Sequence, residues 1–134
     1  MSVAYMRAYH SKHATDKIFD DYLAYNLIPS EKIALIENYW IEQCWTWDQQ
    51  LNDTEPTALR SEKAITSKSL TLAAHEFAGI FCSRARYAED GLEKAVKQGV
   101  KQYINLGAGM DTFEFRQPEM MEKLEVFVIE HPAT

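Results

Sequence analysis

Glycine is scarce in this chain of 134 residues: there are five, and the first is Gly79. Cysteine is scarcer. Cys44 and Cys82 stand far apart and belong to no C-x-x-C pair, which excludes a disulfide framework and a zinc knuckle and leaves reduced, buried thiols of a cytoplasmic protein as the expectation. Long apolar runs are missing altogether. None approaches the roughly 18 to 20 residues of a membrane span, and the start MSVAYMRAYHSKH lacks the apolar core of a signal peptide, so a soluble intracellular protein is expected. Basic charge is in deficit. Fourteen Lys+Arg against twenty Asp+Glu give a formal net charge of -6 and a pI near 5.2, with no global positive field to gather phosphates, so no nucleic-acid partner is expected. The histidines make no metal set either: His10 and His13 stand three apart, and His75 and His131 stand alone without cysteine or carboxylate at ligand spacing.

What is present reads as one folded domain. Hydrophobic residues at 46% and charged residues at 25% are globular values, and a chain of this length buries about two-thirds of its unfolded surface around one core. The front of the chain carries helical spacing. Ile18, Phe19, Tyr22, Leu23, Tyr25 and Leu27 cluster around Asp20-Asp21, and Pro29-Ser30 is expected to stop one helix and cap the next. From Glu31 to about Leu51, Ile33, Leu35, Ile36, Tyr39, Trp40, Cys44, Trp47 and Leu51 recur at three- and four-residue spacing, as one buried helix face requires. Trp40, Trp45 and Trp47 are accordingly expected in the core rather than in a substrate pocket. Asn52 to Pro56 reads as a loop, followed by a third helix over about Ser61 to Phe81 and a fourth over about Tyr87 to Gln98, with Gly99 in a left-handed cap.

Behind Gly99 the pattern changes to strands. Val100 to Leu106 is short and rich in β-branched and aromatic residues, and Leu124 to Ile129 repeats that character after a segment holding Phe113, Phe115 and Pro118. The β-turn-helix-β order favours parallel pairing.

The first strand runs directly into Gly107-Ala108-Gly109, where small positions let the backbone turn sharply and a ligand lie against it. Glu130, about twenty residues on at the end of the second strand, is placed to hydrogen-bond ribose hydroxyls. Thr112 occupies the place of the third glycine in a dinucleotide fingerprint, and Asp111 puts a negative charge where a pyrophosphate would rest, which weighs against NAD or FAD. S-adenosyl-L-methionine, with a ribose and no phosphate, fits that composition better.

Ser83-Arg84-Ala85-Arg86-Tyr87-Ala88-Glu89-Asp90, Leu106-Gly107-Ala108-Gly109-Met110-Asp111-Thr112 and Glu130-His131-Pro132-Ala133-Thr134 follow one another in order. Together they resemble the leucine carboxyl methyltransferase family, most strongly from about Leu70 onward, and within it the bacterial branch of O-methyltransferases linked to polyketide biosynthesis. The resemblance implies an α/β chain with a helical N-terminal or cap region over 1-82. Residues 83-134 would then begin an S-adenosylmethionine-binding, Rossmann-like class I methyltransferase domain. In the family that domain is a seven-stranded, mostly parallel sheet, so this chain is expected to be an N-terminal half with open sheet edges, prone to self-association and weak or inactive alone.

The resemblance also implies site roles. An arginine matching Arg84 pairs with the cofactor's methionine carboxylate, Gly107, Ala108 and Gly109 pass beneath the cofactor, and Glu130 holds the ribose, in place of the family's more frequent aspartate. A planar guanidinium suits a carboxylate because it offers two parallel hydrogen bonds. Asp111 is expected to accept backbone N–H bonds of the loop, with direct cofactor contact secondary, and Thr112 to cap the next helix. Arg7 and Lys12 lie in the segment that covers the pocket in the family. Arg86 is expected to pair on the helix surface. The acceptor would be a small molecule with a carboxylate or hydroxyl, and its catalytic residues lie outside what these motifs assign. The contrasting readings are a non-catalytic helical interaction module and an NAD(P)-binding fragment.

Overall fold

The computed structural model describes residues 1–52 and 62–131. Helix α1 (Ser2–His13) puts alanines and aromatics on its inner side, and Ala4, Tyr5, Met6 and Ala8 are buried. In its last turn the Lys12 cation complements the partial negative charge of a helix C-terminus. Helix α2 (Ser30–Asn52) begins where Pro29-Ser30 led us to expect, with Lys32 N–H bonded to Pro29 O at 2.9 Å. It lays Ile36 and Trp40 against α1 in one core with Ala24 and Ile28. The Tyr5 hydroxyl donates to Glu37 Oε1 at 2.7 Å and ties the two helices together.

Two expectations for the helices are corrected. No α-helix runs through Ile18 to Leu27 up to Pro29: the segment holds only a 3₁₀ turn, Ala24–Leu27, and Ile28 before the proline is extended with ψ 120. The third and fourth helices are one, α3 (Glu62–Lys97), because Ser83-Arg84-Ala85-Arg86 contains no breaker and Gly79 and Gly91 are tolerated inside a helix. Residues 82 and 83 are therefore consecutive positions of a single helix. α3 packs on both α1 and α2, with Phe77 and Phe81 against the Trp40 ring. Of the loop expected over Asn52 to Pro56, Asn52 is the last residue of α2 and the rest lies outside the described residues, as do the side chains of Cys44, Trp45, Trp47, Leu51, Ile65, Leu70, Leu72, Ala73 and His75. No described helix is long and apolar enough to cross a membrane.

Gly99 ends α3 as expected. Its φ is +99°, its N–H bonds to Val96 O at 3.0 Å and Val100 N–H bonds to Ala95 O at 3.1 Å, the two bonds of a Schellman cap. Strand β1 (Gln102–Leu106) follows, then two short helices, α4 (Phe113–Arg116) and α5 (Pro118–Met121), and strand β2 (Glu125–Ile129). Proline suits the first position of α5, where its missing N–H is not needed. β1 and β2 pair in parallel, from Gln102 opposite Glu125 to Leu106 opposite Ile129. Tyr103 and Asn105 turn inward, Tyr103 meeting Phe113 edge to face, while Ile104, Leu106, Phe127 and Ile129 form an exposed apolar face.

Between α1 and the 3₁₀ turn, His10 is buried and its Nε2 accepts the Ile18 N–H at 3.0 Å. Burial pushes the imidazole below its ordinary pKa of 6.5, Lys17 adds to that push, and Asp20 opposes it. A lowered folded value means that this contribution to stability is complete above 6.5 and is lost as pH falls through the folded value. The urea midpoint should therefore drop between about pH 7.5 and 5.5, and His10→Gln, which keeps an acceptor but cannot titrate, should flatten that drop. Gly99→Ala should cost about 1 kcal/mol in the same assay, since an L side chain is strained at this φ.

Candidate functional site

The turn leaving β1 needs glycine at two places. Gly107 has φ +68° and Gly109 φ +57°, and a Cβ at either would meet nothing within 4 Å, so backbone conformation and not space sets the requirement. Gly107 N–H continues the sheet ladder to Ile129 O at 2.8 Å. Gly109 N–H donates to Glu130 Oε1 at 2.5 Å, which joins the turn to the residue just beyond β2.

An open cavity of about 260 Å³ lies between this turn, α1 and α3. Arg84, Gly107, Ala108 and Asp111 line it together with Arg7, Phe19, Phe81, Glu89, Tyr103 and Phe113. Gly109 and Glu130 are not among its lining residues; they meet each other on the other side of the turn. Lys12 also stands away from it, over the Tyr25 ring at 5.3 Å.

Arg7, Arg84 and Arg86 differ in their partners. Arg86 is spent on its helix surface against Asp90, as expected. Arg7 reaches inward: Nε bonds Asp21 Oδ2 and Nη2 bonds Met110 O, both at 2.8 Å. Arg84 is exposed on α3, reaches the cavity, and makes no ion pair among the described residues. A charged, unengaged guanidinium beside a glycine turn is a ready partner for an anionic ligand group.

Asp111 does what was expected of it locally. Oδ1 accepts the Phe113 N–H at 3.0 Å, and Oδ2 accepts from Asn105 Nδ2 at 2.9 Å. Thr112 does not cap α4 through its side chain. Its hydroxyl instead donates to Asp21 Oδ1 at 2.5 Å and accepts from Arg116 Nε at 2.6 Å. The reason is reach: a fully buried carboxylate lies beside it, and a bond to a charged acceptor is worth more than a neutral cap.

Asp21, Arg116 and Glu89 are the residues that sequence reasoning missed. The Arg116 side chain is 5% exposed, pairs with Glu89 through both terminal nitrogens, and lies 4.4 Å from the Phe19 ring centroid. The signal for Asp21 was an acid set within the apolar cluster Ile18 to Leu23. Tyr103 stays a neutral phenol, since burial first and then Asp111 and Glu89 push its pKa upward. Burial likewise pushes the free Cys82 thiol up to about 11, so it is inert.

The chain is a member of the leucine carboxyl methyltransferase family, whose profile matches residues 1–134. It is 36% identical over 134 residues to a Bacillus subtilis (strain 168) protein named "Putative S-adenosyl-L-methionine-dependent methyltransferase YktD", a match covering 98% of this chain and 41% of that protein. The chain thus spans well under half the length of that relative. No solved structure matches it significantly.

Removing one member of a buried ion pair strands the other. Glu89→Gln should therefore destabilise the chain by on the order of 3 kcal/mol in urea unfolding, and adding Arg116→Met should recover part of that loss.

Proposed function

We propose that this chain forms the cofactor-binding part of an S-adenosyl-L-methionine-dependent O-methyltransferase. The observation that carries the reading is Arg84, which makes no ion pair among the described residues, lining one cavity with a positive-φ glycine turn to which Glu130 is bonded through Gly109, in a member of a methyltransferase family. When bound, the cofactor supplies an electrophilic methyl group. Arg84 takes the methionine carboxylate in a two-bond pairing, and Gly107 and Ala108 give the backbone clearance beneath it. Glu130 holds the ribose, exchanging its present bond to Gly109 N–H for the sugar hydroxyls. Asp111 contributes by shaping the turn, since both its oxygens are engaged.

In this reading residues 1–82 are the helical cap and 83–134 the first β-α-β unit of a Rossmann-like domain. Its further strands and helices cover the apolar face of Ile104, Leu106, Phe127 and Ile129, or a second copy does so in their absence. The acceptor is a small molecule bearing a carboxylate or hydroxyl, of polyketide-like type. A carboxylate is favoured, because it arrives as a nucleophile and needs no general base. The cavity offers none: Glu89 is paired, Asp111 is engaged and Tyr103 keeps its proton.

Calorimetric titration of S-adenosylhomocysteine into the chain should show saturable binding, with NAD giving none. Arg84→Ala should weaken it about 10- to 100-fold, the worth of a charge-assisted hydrogen-bonded pair. Equal affinity in the variant would remove Arg84 from the site.

A further inference from the structure

The glycine turn is conformationally loose by composition, with two left-handed glycines within three residues. One end of it is fixed by the sheet, through Gly107 to Ile129 and Gly109 to Glu130. The other end, Met110 to Thr112, makes no ladder bond and is tied to β1 only by the Asn105 Nδ2 bond to Asp111. Its two flanks, Met110 and Thr112, are held from the far end of the chain. Asp21, whose side chain is wholly buried, accepts the Thr112 hydroxyl on one oxygen and the Arg7 guanidinium on the other. Arg7 in turn donates to the Met110 carbonyl, 103 positions away. Two residues of the turn's exit, Thr112 directly and Met110 through Arg7, are thus tied to a single carboxylate.

We propose that Asp21 is a positioning residue that sets the conformation of the Gly107–Thr112 turn for cofactor binding. The proposal rests on the reading of that turn as a cofactor cradle. The cavity-lining residue to which Asp21 is bonded is Arg7, and it acts through Thr112 and Met110. A buried charge is costly unless fully paired, and an apolar group of the same size would pack the site as tightly. What the carboxylate adds is direction: two fixed bonds at right register to hold one loop end, which apolar packing does not supply.

The test uses the chain with Asp21→Asn, Thr112→Val and Thr112→Ser, and two readouts. Amide hydrogen exchange without ligand should be faster by about 10-fold or more at 108–113 in Asp21→Asn and Thr112→Val, with β1 amides unchanged. Affinity for S-adenosylhomocysteine should fall about 5- to 10-fold in Thr112→Val and return in Thr112→Ser, which restores the hydroxyl. Exchange at the turn equal to wild type in Thr112→Val overturns the proposal, and so does a loss of affinity that Thr112→Ser fails to rescue. If Asp21→Asn does not fold, the Thr112 pair decides alone. If the wild-type chain binds no S-adenosylhomocysteine, the cofactor reading fails, and exchange at the turn still decides whether Asp21 holds it.

Discussion

The buried carboxylate of Asp21 is the constraint on which the arrangement of this chain turns. It lies where α1, the segment before α2, and the turn after β1 come together. Placing a charge there is favourable only because its surroundings cancel it. Arg7 and Arg116 supply two positive charges and Asp21 and Glu89 two negative ones, and each ion has a partner. The set is neutral as a whole, so removing any one member would leave a net charge in a poorly solvated place. Stability and site geometry therefore share the same atoms.

The same network explains why the arginines have different fates. Arg7 and Arg116 are withdrawn from ligands by bonds to Asp21, Thr112, Met110 and Glu89. Their fixed geometry leaves Arg84, displayed on α3, as the guanidinium with bonds to give among the described residues that line the cavity. An exposed cation on a rigid helix is a better recognition element than one on a loop, because its backbone does not move when it binds.

Much of this architecture was legible from the residues. The two strands, their parallel pairing and the Gly99 cap follow from local preferences, β-branched and aromatic runs in one case and a left-handed glycine in the other. The glycine turn and Glu130 were equally plain, since they lie close in sequence and meet across adjacent strand ends. The unity of α3 was missed because an arginine-rich stretch was read as an interruption when nothing in it breaks a helix. Thr112 was assigned a cap on the basis of its neighbours, when its partner lay 91 positions earlier. Asp21 was passed over for the same reason: periodicity reports faces of elements, and a long-range ion network has no period. Its trace was an acid in an apolar cluster, which is expensive unless it has partners elsewhere.

The most direct test of the cofactor cradle is a crystal structure of the chain grown with saturating S-adenosylhomocysteine. The expected result places the ligand carboxylate within hydrogen-bond reach of the Arg84 guanidinium and the ribose hydroxyls on Glu130, with Thr112 still bonded to Asp21. A ligand bound elsewhere, or a turn that has left Asp21 in order to bind it, would contradict that arrangement.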